Sequence, residues 1–108
     1  MSIVIRGILE EEKERLVRLV KRYSTDLEDL PKGSLRIREL KGHKYAYLVY
    51  REGQKVVNKY LGNASRKDVQ ELQERVEKAK TIRQLKKDAM ASIKEIEGML
   101  RGRSGRTV

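Results

Sequence analysis

Residues 31–62 read PKGSLRIRELKGHKYAYLVYREGQKVVNKYLG, and no other part of the chain limits the fold as tightly. Apolar and polar residues alternate through about 35–40, 44–51 and 55–61, separated by Lys41-Gly42-His43 and Glu52-Gly53-Gln54. A period of two is the period of a strand, and short glycine breaks between such runs are hairpin turns. The run predicts a three-stranded antiparallel β-meander over 34–62.

Alternation then assigns the side chains to faces. A tight first turn puts Leu35 and Ile37 with Ala46, Leu48 and Tyr50, and leaves Arg36 and Arg38 with Tyr45, Tyr47, Val49 and Arg51. One face is apolar, the other basic and aromatic. The third strand depends on the second turn, because a shift of one residue exchanges its faces. An odd loop of Glu52 to Gln54 sets Lys55 and Lys59 beside the arginines, whereas a two-residue loop sets Val56, Asn58 and Tyr60 there. The odd loop is the expectation.

The flanking segments read as helices. From about 8 to 24, Leu9, Leu16, Val20 and Tyr23 form one stripe, with Glu10, Glu11 and Glu12 expected in the first turn and Lys21 and Arg22 in the last, matching the helix dipole. Pro31 and Gly33 end a linker that begins near Asp26. Ser65 and Asp68 make an S-x-x-D start for a helical region over 65–100. Its apolar residues change face: Val69, Leu72, Val76 and Ala79 lie about 110° around the axis from Ile82, Leu85, Ala89, Ile93, Ile96 and Leu100. One helix would thus need two partners, so the region either folds back near residue 81 or meets a second copy in a homodimer, coiled-coil fashion. Residues 101–108, with three arginines spaced by Gly and Ser, read as a flexible basic tail. The expected architecture is a single α+β domain over 1–100: N-terminal helix, meander, long or broken C-terminal helical region.

Charge narrows the partners. The 26 Lys+Arg against 16 Asp+Glu give a formal +10, enough to attract polyanions. The 31–62 segment is the most lopsided, with eight bases and two acids, and it holds four of the five tyrosines. Lys and Arg neutralise phosphates, Arg can grip guanine edges, and Tyr can stack on bases. The candidate nucleic-acid-binding residues are Arg36, Arg38, Lys41, His43, Lys44, Tyr45, Tyr47, Arg51, Lys55 and Lys59. The competing reading packs Tyr45, Tyr47 and Tyr60 beneath the long helix.

Catalysis finds no support. His43 is the one histidine and sits at a hairpin tip, no second histidine or carboxylate cluster completes a metal set, and there is no phosphate-binding glycine loop. With no cysteine, no signal peptide and no long apolar run, the expectation is a cytoplasmic, non-membrane protein that is not an enzyme and needs no cofactor.

The stretches L-P-K-G-S-L, K-G-H-K-Y-A-Y-L-V-Y-R and G-Q-K-V-V-N-K-Y-L-G resemble a motif of small uncharacterised prokaryotic proteins, many associated with mobile elements. Similar meanders occur in transposase N-terminal regions and in the arm-binding modules of tyrosine recombinases. The resemblance covers residues 31–62 and implies a sheet whose exposed face enters a DNA groove through Arg36, Arg38, Tyr45, Tyr47 and Lys59. The chain departs from the motif at Gln54, where a second glycine is usual in the turn. The function so implied is a DNA-binding, or less readily RNA-binding, accessory or regulatory protein of a mobile element. The alternative is a protein-interaction factor, such as an anti-CRISPR-like inhibitor of a host defence nuclease or an antitoxin-like partner.

Overall fold

The computed structural model describes the backbone of residues 1–105 and the side chains of residues 1–101. The element order is α1 (Ile3–Glu28), β1 (Ser34–Leu40), β2 (His43–Glu52), β3 (Lys55–Asn63) and α2 (Lys67–Gly105), an α+β fold with an antiparallel sheet in the order β1-β2-β3. Contacts divide it into two compact units: Met1–Glu28 with α2 from Ile82 on, and Asp29–Thr81.

In the helical unit, α1 begins five residues before the apolar stripe suggested. The Ser2 Oγ accepts the Ile5 N–H at 3.1 Å, a cap that starts the helix ahead of the β-branched run Ile3-Val4-Ile5. Glu10, Glu11 and Glu12 therefore lie in the third turn, and Lys21 and Arg22 precede the last; neither group faces a helix end. They act through neighbours instead. Arg6 pairs with Glu10 at 3.3 Å, and Arg15 grips Glu12 with Nε–Oε1 at 2.6 Å and Nη2–Oε2 at 2.8 Å. That two-pronged hydrogen bond holds the Glu12 carboxyl below its ordinary pKa.

The region expected over 65–100 is a single helix with no break near residue 81. Most of its distal stripe packs within one chain, although Leu85 stays 44% exposed. Leu16, Ala89 and Ile96 form a buried cluster against which Leu9, Leu19, Val20, Tyr23, Ile93 and Leu100 pack. The Lys13 ammonium reaches Glu97 at 3.1 Å beside it. Residues 101–105 of the expected tail continue the helix, and 106–108 lie outside the described residues.

In the other unit the first hairpin turns on Lys41 (φ 53°) and Gly42 (φ 80°), the two positive angles of a type I′ turn. The pairing Arg36–Tyr47, Ile37–Ala46 and Arg38–Tyr45 follows, as the alternation predicts. The linker fits against β2 only as glycine: at Gly33 (φ 100°) an added Cβ would lie 2.3 Å from the Val49 carbonyl oxygen. Ala46 is completely buried, which a three-stranded sheet cannot achieve alone. The one layer left in this unit is α2 before Ile82, whose Val69, Val76 and Ala79 are buried too. The proximal stripe therefore covers the centre of the Ala46 face, where Leu48, Tyr50 and Val57 are half-buried, while Ile37 and the charged residues of that face stay exposed. Arg75 secures this arrangement by donating from Nη2 to the Asp29 carbonyl at 2.6 Å.

Ser65 does not cap α2. The Arg66 carbonyl accepts the first helical bond from Gln70 at 3.0 Å, and the Ser65 N–H and hydroxyl both donate to Asn63 Oδ1 at 2.9 and 2.7 Å. Asn63 thus makes the sheet-to-helix corner as an Asx turn.

Candidate nucleic-acid interface

The second hairpin decides the composition of the uncovered face. Glu52 pairs with Lys55, Val49 with Asn58 and Tyr47 with Tyr60, so the loop is the two residues Gly53-Gln54 rather than an odd three. Gly53 has φ 63° and Gln54 carries no positive φ, the Gly-X pattern of a type II′ turn, which needs glycine only at its first position. The motif's missing second glycine is thereby accounted for. Lys55 and Lys59 consequently fall with Leu48 on the Ala46 side, contrary to expectation, and Val56, Asn58 and Tyr60 take their place beside Tyr47 and Val49. Register slips at a bulge between the Tyr47–Tyr60 and Ala46–Gly62 pairs, which returns Asn63 to a position opposite Tyr45.

With all three registers known, the sequence candidates separate. Arg36, Arg38, His43, Tyr45, Tyr47 and Arg51 share the uncovered face. Lys44, Lys55 and Lys59 share the opposite one, and Lys41 lies in the turn. No residue on the uncovered face is buried, and Tyr60 at its centre is 57% exposed, so these tyrosines do not pack beneath α2. Tyr50, on the Ala46 side and half-buried, is the tyrosine of the sheet that does face the helix.

The two faces differ in charge as well as in cover. Both acids of the sheet, Glu39 and Glu52, lie on the Ala46 side, opposite Lys44 and Lys55 across the strands. The uncovered face keeps three arginines and no carboxylate. Its rings form a connected row, each pair tilted: His43–Tyr45 at 6.4 Å, Tyr45–Tyr60 at 6.3 Å and Tyr47–Tyr60 at 5.3 Å between centroids. Arg38 Cζ stands 5.7 Å from the Tyr47 centroid, within cation–π range. The preference for an odd loop left Tyr60, Asn58 and Val56 off this face, and the Gly-X dipeptide Gly53-Gln54 is the signal for the two-residue loop that puts them there.

Among the described residues no group of three or more His, Asp or Glu is placed to hold a metal ion, and no helix is long and apolar enough to cross a membrane. A shallow groove in the helical unit is lined by Val17, Val20, Met90 and Ile93 together with the charged Lys21, Lys94, Glu97 and Arg101.

No curated protein and no solved structure matches the chain. A family described as Domain of unknown function (DUF6788) matches residues 9–71, which takes in the whole meander and most of α1. That match spans more than half of the 108 residues, and the chain belongs to this family.

Proposed function

We propose that the protein is a non-enzymatic nucleic-acid-binding factor that engages a phosphodiester chain with the uncovered face of its meander. The observation that carries this reading is the segregation of charge: three arginines and four aromatic rings on a face with no acid, the sheet's two acids being confined to the other side. A polyanion approaching that face meets attraction without a compensating carboxylate, and each phosphate contact releases counterions. Arginine suits the task better than lysine because its planar fork both pairs with phosphate and stacks on rings. DNA is the first candidate, the class of partner that the resemblance to DNA-reading meanders implies. The motif resemblance suggests an accessory role beside the machinery of a mobile element.

The test is a binding titration by fluorescence anisotropy at two salt concentrations, wild type against Arg36→Ala plus Arg38→Ala. Both side chains are exposed, so the fold should persist in the double variant while affinity falls. Equal affinity in the two proteins removes this face from the mechanism, and absence of binding by wild type at both salt concentrations favours the protein-interaction alternative.

A further inference from the structure

The arrangement of rings and cations on this face carries the reading one step further, to the form of nucleic acid. Two of the three arginines stand on a different strand from the rings: Arg36 and Arg38 are on the edge strand β1, whereas Tyr45, Tyr47 and Tyr60 are on β2 and β3, and Arg51 lies at the hairpin end of β2. Tyr60 links the other two, 5.3 Å from Tyr47 and 6.3 Å from Tyr45, and is more than half exposed. In a duplex groove only base edges are presented, so the faces of three adjacent phenol rings have nothing to stack on. A single strand can lay its phosphates along the arginines and turn its bases onto the rings, the division of labour used by sequence-tolerant single-strand binders. Arg38, standing over Tyr47, is placed between the phosphate path and the rings.

Resting on the nucleic-acid reading above, the geometry points to unpaired bases as the ligand: the meander is a stacking platform for single-stranded nucleic acid, with Tyr60 as its central ring. The chemistry is common to DNA and RNA single strands, and the experiment separates them.

Dye-labelled oligothymidine and oligouridine of about 15 nucleotides and a duplex of equal length are titrated with wild type, Tyr60→Leu, Tyr60→Phe and the Arg36→Ala, Arg38→Ala double variant. The expected result is tighter binding of a single strand than of the duplex. Tyr60→Leu should lower single-strand affinity by about 5- to 150-fold, the loss of one stacked base, while Tyr60→Phe stays near wild type because it keeps the ring. Preference for one sugar identifies DNA or RNA as the source. Intrinsic tyrosine fluorescence gives a readout on the unaltered protein: with no tryptophan in the chain, bases stacking on the platform should quench the emission.

A duplex bound as tightly as the single strands, with Tyr60→Leu inert and no quenching, overturns the stacking platform and leaves the basic-face reading standing. Failure of every oligonucleotide to bind at low salt overturns that reading and this inference together.

Discussion

Removing the same charge from opposite sides of one sheet isolates position from net charge. Arg36→Ala plus Arg38→Ala and Lys55→Ala plus Lys59→Ala each delete two positive charges from a formal +10, and all four side chains are exposed. A long-range attraction that depends on total charge would suffer equally in both. Direct phosphate contact would not, because the arginines lie on the acid-free face and the lysines on the other. Each lost contact flattens the plot of log K against log salt by about 0.7 for a single strand and about 0.9 for a duplex, so the arginine pair should reduce the slope by about 1.4 to 1.8. Between roughly 50 and 200 mM salt, the advantage of wild type over the arginine variant should shrink by about 7- to 12-fold. The lysine variant should run parallel to wild type. Anisotropy titrations at four salt concentrations measure both slopes. Equal slopes for the two variants, or a larger change in the lysine pair, would show that the uncovered face is not where phosphates bind.

Two stability changes test the fold that positions this face. Gly33→Ala forces a Cβ against the Val49 carbonyl oxygen at a φ of 100°, and strain plus overlap should cost about 2 to 5 kcal/mol. A drop in Tm of roughly 10 °C or more in a circular-dichroism melt is expected, and a Tm within about 2 °C of wild type would contradict the close approach. Leu16→Ala empties the centre of the cluster with Ala89 and Ile96 and should cost about 2 to 5 kcal/mol, read as a lower urea midpoint with an unchanged slope.

Much of this architecture was legible in the residues because each signal had one physical solution. Lys41-Gly42 between alternating runs permits a two-residue I′ turn, and that alone fixes Arg36 and Arg38 beside Tyr45 and Tyr47. The double stripe of α2 announced two different surfaces, and Val69, Val76 and Ala79 are buried in the unit of the sheet while Ala89 and Ile96 pack on α1, without the fold-back near residue 81 that one reading of the stripe required. What escaped were features set by a single residue of offset. Ile3-Val4-Ile5 has low helix propensity, so a cap at Ser2 is visible only once its hydroxyl is seen to accept from Ile5. Glu52-Gly53-Gln54 reads equally as two or three loop residues, and choosing three sent Lys55 and Lys59 to the wrong side. At Ser65 the hydroxyl donates to Asn63 Oδ1 instead of accepting from a backbone N–H of α2, a choice that spacing cannot reveal.

The offset matters for function because parity sorts charge as well as shape. Had the second loop been odd, Lys55 and Lys59 would have joined the arginines and Tyr60 would have turned toward α2, giving a face of diffuse positive charge with three rings, His43, Tyr45 and Tyr47. The observed register does the reverse. It withdraws the lysines to positions where Lys55 and Lys44 stand opposite Glu52 and Glu39, and brings Tyr60 between Tyr45 and Tyr47. The covered side is thus close to charge-balanced, as a surface beside a packed helix requires, while the open side concentrates arginine and phenol without an acid. Ala46 fixes which side is which: its exposure is 0%, so α2 cannot move to the tyrosine side without exposing Ala46 and uncovering the half-buried Leu35, Leu48 and Val57. The identity of the binding face therefore follows from the packing that holds the sheet, and a variant that loosens that packing should lose ligand affinity and stability together, whereas changes at Arg36, Arg38 or Tyr60 should separate them.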